Sequence, residues 1–198
     1  MPYKDNTLFV HVPRSGGMVV SQAMGVEMRN GNEEELFCFK RGLHFYPAKK
    51  IHKMGLEYEN VFTIIRDPVT RMISVWHYAQ KHWGYLANKE NTNPVSFFIK
   101  ACKKFKNQDN FYNFFSSYCY MLDDLPTNIK ILRQRTLTKQ WTELVEEWGL
   151  PWSKDIKRTN RSKSRGRPKL PYEAKQEIAH IYRDDYKMFE DYNFDFAS

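Results

Sequence analysis

Residues 8–21 read LFVHVPRSGGMVVS. The apolar run Leu8–Val12 meets Pro13-Arg14-Ser15-Gly16-Gly17, and an apolar, helix-compatible stretch begins at Met18. This order of residue types predicts a buried strand, a tight anion-binding turn and a helix N-terminus. Glycines let backbone N–H groups converge on an anion with no Cβ in the way. Arg14 adds a planar positive fork and Ser15 a hydroxyl donor. The turn is not a Walker A loop, because the G-x-x-x-x-G-K-[S/T] spacing is absent. Taken alone, the stretch also fits an ordinary glycine turn between a strand and a helix.

Fifty residues on, Val61–Ile65 (VFTII) is the strongest strand signal, apolar on both parities as a central parallel strand requires. It stops at Arg66-Asp67-Pro68, where Asp67 suits a helix cap and Pro68 the first helical position. The helix that follows is expected to run to about Lys81, with Met72, Val75, Trp76 and Ala79 on one apolar face.

Elsewhere the pattern predicts helices over Met18–Met28, Ala48–Met54, Val95–Phe105, Phe111–Met121, Thr138–Trp148 and Pro171–Phe189. The first is expected to stop near Asn30-Gly31. Short strands are expected at Leu36–Phe39 and Ile129–Leu132. Strands alternating with helices argue an α/β fold with three layers, α/β/α, around a central parallel sheet. No repeat or linker divides the chain, so residues 1–198 are expected to form a single domain.

The bulk numbers bound the partners. The chain of 198 residues carries a net charge of +8, which favours an anionic partner: nucleic acid, a phosphorylated cofactor, an acidic glycan or a membrane surface. Aromatic residues make up 16%, enough for a ring-rich core or cleft. Cys38, Cys102 and Cys119 are far apart and lack metal-ligand spacing, which argues a reducing compartment and small buried hydrophobes. Neither a signal peptide nor an apolar run of about 18 residues is seen, so a cytoplasmic protein without a membrane span is expected.

The strands Leu8–Val12 and Val61–Ile65 would deliver anion-binding groups to one rim, because open α/β sheets bind ligands at the carboxyl ends of their strands. One anion would lie on the Arg14–Gly17 turn and another between Arg66 and Ser74. Two such sites suggest a nucleotide with phosphates at both ends.

The pair HVPRSGG and IIRDPVTRMISVWHY resembles the two cofactor motifs of the sulfotransferase superfamily, which uses 3'-phosphoadenosine 5'-phosphosulfate (PAPS). The second motif, R-[D/N]-P-x-x-R-x-x-S, is present in full as Arg66, Asp67, Pro68, Arg71 and Ser74. The first departs from the family: Arg14 stands for the usual lysine, and Met18 and Val19 for the usual hydroxyl residues. The resemblance implies a P-loop-like sulfotransferase fold, closest in pattern to the carbohydrate sulfotransferases of bacterial or phage type. It implies that Arg14, Ser15, Gly16, Gly17 and Met18 cradle the 5'-phosphosulfate, and that Arg66 and Ser74 bind the 3'-phosphate. His44 matches a histidine that in glycan-type relatives is the base or lies next to the acceptor. Arg158, Asn160, Arg161 and Ser162 match the family's cofactor-covering loop.

The implied chemistry is sulfuryl transfer from PAPS to a hydroxyl acceptor, a carbohydrate first among the candidates. His44 would take the acceptor proton and Arg14 would stabilise charge on the transferred group. No metal is required in principle. His44 is also readable as a loop histidine with a structural hydrogen bond, and His11 as a structural residue beside the cofactor turn. The basic run Lys154–Lys169 carries eight basic residues to one acid, readable as a solvated loop, a cofactor lid or an anion patch. Two other classes stay open. One is a P-loop-like nucleotide kinase, which the missing Walker lysine disfavours. The other is a non-catalytic anion- or nucleic-acid-binding protein, which the lack of a known nucleic-acid module disfavours. The residues leave the acceptor's identity and the oligomeric state open.

Overall fold

The computed structural model describes residues 3–26, 47–53, 55–82, 93–107, 113–124, 128–156 and 169–191. The chain groups into two compact units. One comprises Met1–Ile65 and Met121–Ser162, the other Arg66–Tyr120 and Lys163–Ser198.

The first unit holds a mostly parallel sheet. Its strands among the described residues are β1 (Tyr3–Lys4), β2 (Thr7–Val10), β3 (Asn60–Ile65) and β4 (Lys130–Arg133), in that spatial order. β2 and β3 run parallel with Leu8 opposite Val61 and Val10 opposite Thr63. β3 and β4 run parallel with Ile64 opposite Leu132. All four residues of β2 and the last five of β3 are buried on both parities, as strands covered on both faces must be. Thr63 is polar inside this run, and its hydroxyl donates to the Val10 carbonyl at 2.9 Å, which satisfies it. β1 is antiparallel to β2. Asp5 and Asn6 join them with φ of 49° and 53°, the left-handed pair of a type I′ hairpin that short polar residues tolerate.

Helices flank the sheet: α1 (Gly17–Ala23), α2 (Ala48–Lys53) and α6 (Leu137–Glu147) belong to this unit. Phe9, Phe62, Ile64 and Leu132 pack with Val20 of α1 and with Trp141 and Leu144 of α6. Phe9 stacks on Phe62 with centroids 4.7 Å apart, and Trp141 on Trp152 at 5.6 Å. Such pairs add about 0.5–1.5 kcal/mol each beyond area burial. α1 is shorter than the apolar pattern predicts. Gly25, at φ 72°, turns the chain out of the helix. The N–H groups of Gly25 and Val26 return to the carbonyls of Gln22 and Ser21 at 3.0 and 2.9 Å. This Schellman closure satisfies the last turn well before Asn30-Gly31.

The second unit is helical: α3 (Pro68–His82), α4 (Pro94–Phe105), a 3₁₀ turn (Asn113–Phe115), the start of α5 (Tyr118–Met121), α7 (Tyr172–Ile181) and α8 (Arg183–Asp191). The predicted face of α3 holds, since Met72, Val75, Trp76 and Ala79 are all buried. Trp76 meets Phe98 of α4 edge-on at 5.2 Å. Two helices predicted as continuous are broken. In the 111–121 stretch, Ser117 Oγ accepts the Tyr120 N–H at 3.1 Å and so caps a new short helix. In the 171–189 stretch, Tyr182 leaves helical geometry (φ −102°, ψ 22°) while its buried hydroxyl donates to the Phe115 carbonyl. Asp184 and Asp185 then open α8, where the helix dipole favours acids.

Cys102 is buried, and burial pushes its thiol up to about 12. It behaves as the small hydrophobe expected. The strand expected at Leu36–Phe39 lies outside the described residues.

Candidate anion-binding site

The turn after β2 is built by backbone conformation. Arg14 has φ 68° and Gly16 φ 105°. The left-handed region is open to glycine but costs an L-residue such as arginine about 1–2 kcal/mol. Ser15 closes the turn with its N–H on the Val12 carbonyl at 3.4 Å, and its side chain is buried. Gly16 is the N-cap of α1 and brings no side-chain cap.

Gly17 is fixed by a neighbour. A Cβ there would lie 2.2 Å from the His11 ring. His11 is buried and stacked on Phe9 at 5.3 Å, so it fills the space beneath the turn. That matches its reading as a structural residue. Met18 is exposed in the first turn of α1, and Val19 is half-buried. Both positions sit directly after the turn.

A third segment reaches the same turn, and sequence reasoning missed it. A Cβ at Gly16 would lie 3.6 Å from Gln134 Cγ and 3.4 Å from Leu137 Cδ2. Gln134 leaves the carboxyl end of β4, its N–H extending the ladder to the Ile65 carbonyl at 2.8 Å. Arg133 and Arg135 flank it in the chain. The signal was available, since residues that follow a parallel strand lie at the ligand-binding edge.

In the second unit, Arg66 and Ser74 are both half-buried, Arg66 directly after β3 and Ser74 inside α3. Asp67 is used up by structure. Its Oδ1 accepts the Thr70 N–H and its Oδ2 the Tyr186 hydroxyl, both at 2.7 Å. Burial, with the Asp67 carboxylate alongside, pushes the Tyr186 phenol well above its ordinary range. The Arg66 backbone is held from both sides by one hydroxyl. Its N–H donates to Tyr118 Oη at 2.8 Å, and that O–H donates to the Arg66 carbonyl at 3.1 Å.

Arg71, the middle arginine of the motif, is fully buried. Its Nη2 donates to the Ser116 carbonyl at 2.5 Å, and its guanidinium lies 4.9 Å from the Tyr118 ring centre and 5.7 Å from that of Tyr182. It is an internal strut of this unit. Nearby Asp185 is fully buried, and burial raises its carboxyl pKa against the pull of the Cys119 N–H and of Arg71.

His44, Arg158, Asn160, Arg161 and Ser162 lie outside the described residues. His52 sits on α2, within 3.3 Å of an Asp124 oxygen and in contact with the Tyr58 hydroxyl, a packing role. Among the described residues no helix is long and apolar enough to cross a membrane.

No family model and no solved structure matches the chain. It is similar to a protein-tyrosine sulfotransferase of Arabidopsis thaliana, 29% identical over 89 residues, which cover 38% of this chain and 18% of that protein. The chain thus matches less than a fifth of the relative's length. At that coverage the similarity supports a general sulfotransferase-like relationship.

Proposed function

We propose that this chain, acting as one domain, transfers a sulfuryl group from PAPS to a hydroxyl acceptor. The observation that carries the reading is the placement of two motifs. The Arg14–Gly17 turn and Arg66 follow two parallel, adjacent strands, β2 and β3, so the chain enters both motifs from the same edge of one sheet. The similarity to a sulfotransferase agrees with it.

Each motif offers groups suited to one anion of a doubly anionic nucleotide. At the 5' end, Arg14 supplies charge and the Ser15–Met18 backbone supplies N–H groups, in a turn where Gly17 leaves no side chain above His11. At the 3' end, Arg66 and Ser74 supply a guanidinium and a hydroxyl. Asp67 stays out of the ligand's way because both its oxygens are engaged. Arg158, Asn160, Arg161 and Ser162 would cover the nucleotide. PAPS brings the activated sulfuryl group and its phosphate leaving group. His44 would accept the acceptor's proton, and Arg14 would neutralise negative charge growing on the transferred group.

A carbohydrate hydroxyl is the first acceptor to test, given the +8 charge and the glycan-type pattern around His44. A tyrosine hydroxyl on a protein is the second, because the relative is named for that reaction. The competing classes are a P-loop-like nucleotide kinase and a non-catalytic anion- or nucleic-acid-binding protein.

Calorimetric titration with adenosine 3',5'-bisphosphate tests the reading. The bisphosphate should bind well above adenosine 5'-monophosphate, which lacks the 3'-phosphate. Arg66→Ala should lower bisphosphate affinity by roughly 10- to 100-fold, the worth of a charge-assisted hydrogen bond of about 1.5–3 kcal/mol. An unchanged affinity removes Arg66 from the 3' site. Equal affinity of the native chain for both nucleotides removes the proposal.

A further inference from the structure

The hydroxyl of Tyr118 grips both backbone polar groups of Arg66. Arg66 stands where β3 ends and α3 has not begun. Its N–H and C=O there have left the sheet ladder and precede the helix ladder, so a local fixture must set their direction. Tyr118 is such a fixture, because its ring has nowhere to go. It is fully buried, lies under the Arg71 guanidinium at 4.9 Å and meets Phe189 edge-on at 5.2 Å. Arg71 is in turn tied to the Ser116 carbonyl, two residues before Tyr118 in the chain.

We infer that Tyr118 is a positioning residue for Arg66: its hydroxyl sets the direction in which the Arg66 guanidinium leaves the strand, and through it the grip on the nucleotide's 3'-phosphate. The inference rests on the functional reading above, and it adds a residue 52 positions away that no motif contains. It also gives Arg71 a task. The middle arginine of R-D-P-x-x-R does not reach for the ligand but holds the ring that holds Arg66. Two phenols support consecutive residues here, Tyr118 the Arg66 backbone and Tyr186 the Asp67 carboxylate. A fixed guanidinium binds a phosphate with less ordering cost than one on a free loop, which is the general advantage of preorganisation.

The test is Tyr118→Phe, which keeps the ring and removes the two hydrogen bonds. Titrations use adenosine 3',5'-bisphosphate and adenosine 5'-monophosphate on the full chain. The expected result is a loss of about tenfold for the bisphosphate, with affinity for the monophosphate unchanged. A damaged fold would weaken both nucleotides together, and that outcome overturns the inference. So does an undiminished preference for the bisphosphate in the variant. If the native chain shows no such preference, the functional reading itself fails, which separates the two. A second measurement needs no variant. Amide hydrogen exchange in the native chain should find the Arg66 N–H protected, and fast exchange there would overturn the clamp.

Discussion

The turn at Arg14–Gly17 and the segment Arg66–Ser74 are both candidate anion sites, yet they are made by opposite means. The first is shaped by backbone: two left-handed residues, a glycine with no room for a Cβ, and a buried histidine beneath it. The second is held by two phenol hydroxyls arriving from far along the chain and by its own Arg71 guanidinium, buried among rings. A site of the first kind is vulnerable at its glycine. One of the second kind is vulnerable at residues that never meet the ligand.

The largest effect should follow from removing the strut of the second segment. Arg71→Met keeps length and apolar stem but deletes the charge. It loses the bond to the Ser116 carbonyl and the contacts over Tyr118 and Tyr182. It also removes one of the influences that pulls the buried Asp185 carboxyl down. Losing a buried hydrogen bond from a charged group costs about 1.5–3 kcal/mol, so chemical denaturation should show a loss of at least that order. The Asp185 pKa, already raised, should rise further. For an acid with a raised folded-state pKa, the native state binds more protons, so stability falls as pH climbs from the unfolded value of 3.8 through the folded one. The variant should therefore lose stability over a wider pH window than the native chain. A cost below about 1 kcal/mol would mean this segment is not held as described.

Next in size is the glycine of the first site. Gly17→Ala drives a methyl to within 2.2 Å of the His11 ring, and overpacking a filled site costs about 1–3 kcal/mol. The double variant with His11→Ala should be less destabilised than the sum of the two single changes, because each relieves the other. Additive losses in that cycle would show that His11 does not set the glycine requirement.

The two sites also differ in how far they could be read from sequence. The turn was legible because its determinants are neighbours: strand, glycines and helix start lie within residues 8–21. β3 was legible because an apolar run on both parities has few other homes. The cap at Asp67 was read correctly, and its Oδ1 meets the Thr70 N–H. The support of the Arg66 segment was not legible. Tyr118 is 52 residues from Arg66, and Tyr186 is 119 from Asp67. No local pattern distinguishes a tyrosine that clamps a backbone from one that fills a core. The misread helix ends have a related cause. Gly25 offered a C-terminal stop inside an apolar stretch that favoured continuation, and Ser117 and the acid pair Asp184-Asp185 marked new starts inside ring-rich periodic runs.

The smallest expected change is the most telling for the first site. Asp5 and Asn6 also have positive φ, but a hairpin turn and short polar side chains account for them. Arg14, at φ 68°, has no such account from its residue type. Arg14→Gly removes a strain of about 1–2 kcal/mol while adding about 0.5–1 kcal/mol of unfolded-chain entropy. The variant should be as stable as the native chain or more stable by up to about 1.5 kcal/mol, read from its denaturation midpoint. Arg14→Lys keeps charge and strain together, so it should show no gain. Binding should order the other way, with the glycine variant weaker than the lysine variant toward adenosine 3',5'-bisphosphate. A gain in stability coupled to a loss in binding is the signature of strain retained for a ligand. A glycine variant that is less stable by more than about 1 kcal/mol would instead make Arg14 a structural residue. The backbone-shaped site would then depend on side-chain support as the Arg66 segment does.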